Sequence, residues 1–218
     1  MTRAAGSMLL GGVPLTATEL FAEIPEQGAA PQTDMSWVAK LSGKHKAVLD
    51  IPEVDSGFGV FRGSIWAAQY AAVLGYAAKD INTVLVLRHN GVLLAMQQRF
   101  WDEYDIGKSH NVIHPATFKP TSRNPAMMSS TRPGDEAPAQ FDAFALDKFL
   151  SRGGIALGCS LAMDLLVVRM IVEKDKTTED VARKKALSML VPGVIMQPSG
   201  IFAVIRAQEA GCTYVRAS

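Results

Sequence analysis

From residue 37 onward the chain alternates short apolar runs, read as buried strands, with longer segments of helical period. The run Lys46-Ala47-Val48-Leu49-Asp50-Ile51 is the first strand, and Pro52 with Gly57 and Gly59 punctuates its end. Residues 61–79 lack proline and repeat Ile65, Trp66, Gln69, Tyr70, Val73, Leu74 and Ala77 at helical spacing, which predicts a helix with one largely apolar stripe. Residues 83–87 form the clearest strand and end at Arg88-His89-Asn90-Gly91, with a second helix expected through Ala95, Phe100 and Trp101. Further strands are predicted at Ile155-Ala156-Leu157-Gly158-Cys159, at Val194-Ile195-Met196 and at Cys212-Thr213-Tyr214-Val215. Between them lie a helix opening at Ser160, which serves as its N-cap, an amphipathic helix over 179–190 and another over 199–210 capped by Gly211. Alternation of this kind marks an α/β layered fold with a mainly parallel sheet. Strands are expected near 46–51, 83–88, 154–159, 193–197 and 212–216.

Two stretches depart from that rhythm. Residues 106–141 carry Gly107, Pro115, Pro120, Pro125, Pro133, Gly134 and Pro138, the composition of a structureless insertion, which in a compact domain acts as a lid or an interface arm. The prolines lower the entropy cost of ordering it, and with Trp101, Tyr104, Met127 and Met128 they predict a homo-oligomer whose contacts include 106–141. At the N-terminus, Arg3 precedes a short apolar run that resembles the part of a twin-arginine export signal following the paired arginines. Residues 1–36 are therefore read as a signal-like remnant and linker, and 37–218 as the folded domain. The remnant implies a periplasmic or exported protein; an ordinary N-terminus in a cytoplasmic protein is the alternative.

Composition narrows the class without choosing a function. At 218 residues, 48% hydrophobic and 20% charged, the chain is neither disordered, collagen-like nor a polytopic membrane protein. A net charge of +1 gives no electrostatic mandate for nucleic acid or anionic lipid, so neither a nucleic-acid partner nor stable membrane insertion is expected. Two cysteines, Cys159 and Cys212, cannot build a disulfide framework and are read as thiols.

Three stretches resemble the DsrE-like family of sulfur-handling α/β proteins: VLVLRHNGVLLAM (84–96), GGIALGCSLAM (153–163) and LVPGVIMQPSGIFAVIRAQEAGCTYV (190–215). The resemblance covers about 45–105 and 150–216 and leaves the insertion and N-terminus unmatched. It implies a three-layer α/β/α domain on a mainly parallel five-stranded sheet, assembled as a trimer or hexamer. It also implies that a strand-end cysteine, here Cys159, accepts persulfide sulfur from a sulfur-donor or thiol partner protein.

The residues support Cys159 independently, because ligands of open α/β sheets bind beyond the carboxyl ends of the strands, where helix N-termini aim free N–H groups. A thiolate there gains from the helix dipole, Ser160 supplies a further hydrogen bond, and His89 orients the thiol. Arg88 and Asn90 are candidate anion contacts, and His110, in the lid, is a candidate ligand contact expected to converge with His89 and Cys159 on the cleft. His110 and His114 are spaced i, i+4 but are followed by Pro115 and Pro120, so they do not share a helical face as a zinc motif requires; His45 reads as a solvated surface residue. No metal and no cofactor is assigned. Two function classes follow: a sulfur-handling or thiol-redox protein using Cys159, and a non-catalytic oligomeric binding module that takes a small ligand, a metal or a haem in the same cleft.

Overall fold

The computed structural model describes residues 33–218, so the signal-like stretch lies outside the described residues. Five strands, β1 (His45–Ile51), β2 (Ile81–Leu87), β3 (Ile155–Cys159), β4 (Ile195–Gln197) and β5 (Thr213–Arg216), form one sheet in the order β4-β3-β2-β1-β5. Every pair is parallel, with Ile51 opposite Leu87, Leu87 opposite Gly158 and Cys159 opposite Gln197. Helices on both faces complete a three-layer α/β/α fold, as expected.

Topology follows from the right-handedness of parallel crossovers. Three connections step in one direction from β1 to β4, so their helices fall on one face. The last connection steps back across the whole sheet to β5, and its helix must take the other. The first face holds α2 (Phe58–Leu74), α3 (Gln98–Glu103), α4 (Ile106–Ser109) and α5 (Leu146–Ser151). It also holds α6 (Ser160–Ala162), which runs through a π-helical stretch, Met163–Val168, into α7 (Arg169–Asp175), and then α8 (Glu179–Ser188). The opposite face holds α9 (Gly200–Glu209) and the short α1 (Ser36–Ala39). Alternation along the strands feeds two cores: Leu49, Ile51, Leu85 and Leu87 meet Phe100, Trp101 and Ile171, whereas Val48, Val84 and Val86 meet Trp37, Ala203 and Ala207.

The apolar stripe of α2 faces the core only at Trp66, which packs against it and donates to Thr83 Oγ1 at 3.0 Å; the C-terminal part of the stripe does not. An amphipathic helix ordinarily buries its apolar stripe, yet α2 buries Gly59, Val60 and Gly63, while Tyr70, Val73 and Leu74 stand 39%, 79% and 54% exposed. The cause is a pair of glycines four residues apart. A Cβ at Gly59 would fall 2.7 Å from Ile51 Cγ2, and one at Gly63 would fall 2.5 Å from Leu85 Cδ2, so the glycine edge is the one that lies against the sheet.

The expected second helix also differs. Residues His89–Ala95 form a 3-10 helix, and only Gln98–Glu103 is α-helical. Backbone crowding explains the tight winding, since a Cβ at Gly91 would sit 2.0 Å from the carbonyl oxygen of Ile51.

Residues 106–141 are not structureless. Asn124 is 1% exposed; its amide donates to the carbonyls of Leu94 (3.1 Å) and Met96 (2.7 Å), and its Oδ1 accepts from Ala126 N–H (3.0 Å). His114 Nδ1 accepts from the N–H groups of Ala116 and Thr117, which leaves Nε2 to donate to the Asp135 carbonyl at 2.6 Å. The buried Asp135 carboxylate accepts from Arg123 Nε at 2.7 Å and Ser129 N–H at 2.9 Å. Trp101, Tyr104 and Met128 are buried in the chain's own fold, so these side chains are not left over for a neighbouring subunit.

Candidate functional site

Strands β1, β2 and β3 end side by side, which brings Asp50 near the end of β1, Arg88 just after β2 and Cys159 at the last position of β3 to the carboxyl ends of the strands. Asp50 is the lone charged residue in the apolar second half of β1 and is 2% exposed. Its carboxylate accepts from Arg88 Nε at 2.6 Å and Nη2 at 2.7 Å, a bidentate pair, and from the Tyr214 hydroxyl at 3.0 Å. The Asp50 hydrogen bonds raise the Arg88 guanidinium above its ordinary pKa, against the opposing effect of its partial burial, and the charge of Asp50 adds to the rise. Burial and then the bond to Asp50 raise the Tyr214 hydroxyl. The first residue of α9 presses on this pair, since a Cβ at Gly200 would lie 2.4 Å from Arg88 Cβ.

Cys159, rather than Ser160, is the N-cap of the helix that follows. It keeps an extended backbone, φ −84° and ψ 115°, and its Sγ accepts the Ala162 N–H at 3.3 Å, whereas Ser160 is already helical. The thiol is 6% exposed at the floor of a cleft of about 390 Å³. Arg88, His89, Asn90 and Ser199 supply the cleft's polar lining; Leu161, Leu165, Leu166 and Ile201 supply its apolar walls.

The other sequence candidates fall into two groups. His89 and Asn90 line the cleft but both hold Glu53: His89 Nδ1 lies 3.3 Å from Oε1, and Asn90 Nδ2 donates to Oε2 at 3.0 Å. His89 reaches this position through a left-handed backbone, φ 49°. His110 and Ser160 are not among the lining residues. The His110 ring contacts Ser109 Oγ at 3.0 Å, and His114 is occupied within the insertion, so the histidine pair is not brought together at Cys159. His45 is not simply solvated either: its ring packs 3.9 Å from that of Tyr76. Among the described residues no group of three or more His, Cys, Asp or Glu side chains is arranged to hold a metal ion.

Asp50, Glu53, Tyr214 and Gly200 are the site residues that the sequence reading missed. One signal was there for Asp50, a carboxylate inside an otherwise apolar strand, which must be paired when buried. Cys212, the second thiol, is 6% exposed in the core beneath α9, and burial raises its pKa against a weaker opposing effect of Lys46. Among the described residues no helix is long and apolar enough to cross a membrane.

No family model matches the chain, and no curated protein matches it either. One solved structure similar to it is a protein of unknown function, MTH1491 from Methanobacterium thermoautotrophicum, at 12% identity and a TM-score of 0.38 over 79% of this chain and 98% of that one.

Proposed function

We propose that the chain is a sulfur-handling or thiol-redox protein of the DsrE-like type that carries sulfur on Cys159. The supporting observation is the thiol's setting: it caps a helix through the Ala162 N–H and lines, together with Arg88, a cleft at the carboxyl ends of the strands. Sulfur transfer needs no cofactor. The Cys159 thiolate attacks the outer sulfur of a donor persulfide R–S–SH, the new Sγ–S bond forms as the donor S–S bond breaks, and the electron pair leaves with R–S⁻. Arg88 stabilises the negative sulfur, and Asp50 with Tyr214 holds Arg88 in place. With no second cysteine in the cleft, the chain acts as a carrier between partner thiols and does not form an internal disulfide.

The competing reading, a non-catalytic binding module, is favoured by the thiol's low exposure and the cleft's aliphatic walls. One experiment separates them. The reduced protein is incubated with inorganic polysulfide, and its intact mass and peptide map are recorded. The expected outcome is one added sulfur on Cys159, retained in Cys212→Ser and lost in Cys159→Ser with the fold unchanged. Sulfur uptake at neither thiol, or at Cys212 alone, would leave the binding module as the function.

A further inference from the structure

The composition of the cleft decides what kind of sulfur compound reaches Cys159. Its polar side chains are already engaged. Arg88 is held by Asp50, His89 and Asn90 by Glu53, and the Ser199 hydroxyl accepts the Phe202 N–H at the start of α9. The side chains left to receive a ligand are aliphatic: Leu161, Leu165 and Ile201 line the mouth and are 56%, 64% and 67% exposed. Single exposed apolar side chains are ordinary, but these three line one opening together, the grouping that marks a ligand groove, and a volume of about 390 Å³ has the size of a small-molecule site. Charge bears only on sign: Arg88, whose Nε and Nη2 are bonded to Asp50, is the one permanently charged lining residue, and no carboxylate lines the cleft, so a cationic ligand finds no partner there.

We infer that the cleft selects small sulfur compounds with an apolar body, alkyl or aryl persulfides and disulfides whose reacting sulfur carries negative charge or leaves with it, over hydrophilic and cationic thiol compounds. The inference rests on the thiol reading of Cys159 but is separable from sulfur carriage. An aliphatic tail lies between Leu161, Leu165 and Ile201, while the reacting sulfur descends to Cys159 beside Arg88.

Methanethiosulfonates provide the test, because each transfers its R–S group to a thiolate by the same step: the Sγ–S bond forms, the S–S bond to the sulfonyl group breaks, and methanesulfinate leaves with the electron pair. The full chain is treated separately with hexyl, sulfonatoethyl and trimethylammonioethyl methanethiosulfonate. Modification of Cys159 is timed by mass spectrometry and divided by the rate for N-acetylcysteine. The hexyl reagent is expected to lead the cationic one by roughly tenfold or more, in keeping with burial of its methylenes, with the anionic reagent between them. Leu165→Asn and Ile201→Asn, both at exposed positions, should cut the hexyl advantage severalfold and leave the two charged reagents unchanged. Equal normalised rates for the three reagents would overturn the inference while leaving sulfur carriage intact. Hexyl selectivity without polysulfide uptake would keep the inference and remove the carrier reading. Hexyl modification that slows as protein concentration rises would show that a second copy covers the aliphatic mouth, and would overturn the proposed occupant.

Discussion

Asp50 illustrates how much of this site depends on one buried charge. The carboxylate is 2% exposed and accepts three hydrogen bonds from Arg88 and Tyr214, the partners that a buried acid needs in place of water. In Asp50→Asn the side chain keeps its shape, but its amide group meets the guanidinium donor to donor. Arg88 then loses its counter-ion while its side chain remains only 32% exposed. The loss should destabilise the fold by about 2 kcal/mol, less than for a fully buried pair because Arg88 still reaches water. Tyr214→Phe removes a single hydrogen bond to the same carboxylate and should cost about 1 kcal/mol. Urea unfolding of both variants at neutral pH checks the order, and an unchanged midpoint in Asp50→Asn would mean that the pair does not support the sheet edge.

At the level of elements, the ordered insertion makes a separate prediction. Asn124 joins it to the turn after the 3-10 helix His89–Ala95 through two buried carbonyls, and it caps the next turn through Ala126 N–H. Alanine at 124 would leave those groups unpaired away from water, at a cost of about 2–3 kcal/mol. It should also make residues 106–141 the first segment cut in limited proteolysis; a digestion pattern identical to wild type would refute this. The hydrophobic pattern made the strands legible, because a parallel sheet covered on both faces demands continuous apolar runs such as 83–87. It also marked Cys159, which stands at the junction of strand and helix. The insertion's order was not legible, since it comes from single polar residues, Asn124, His114 and Asp135, finding distant carbonyls and cations. The orientation of α2 was hidden as well: with alanines and aromatics around most of the helix, two glycines decided which side met the sheet. The surroundings of the thiol come from remote strands, and Tyr214 lies 164 positions from the Asp50 that it touches.

For the whole molecule, the exposed side of α2 has the largest consequence. No charged residue occurs between Arg62 and Lys79, and in that interval Tyr70, Val73 and Leu74 face solvent. A helix whose glycine edge binds the sheet while its bulky apolar side stays open has the form of an interface half. We therefore propose that copies of the chain associate through the C-terminal half of α2; Trp101, Tyr104 and Met128 are buried and take no part, although Phe118 of the insertion is 75% exposed. Association would remove Tyr70, Val73 and Leu74 from water, and a closed symmetric oligomer would do so in every copy. Light scattering at micromolar concentration should give a mass that is a whole multiple of 23.4 kDa. In Val73→Lys with Leu74→Lys, like charges would meet across each contact and the mass should fall to that of one chain. Both positions are already exposed, so the circular dichroism spectrum should not change. A wild-type protein that runs as a monomer, or an oligomer indifferent to both lysines, would remove α2 as the contact.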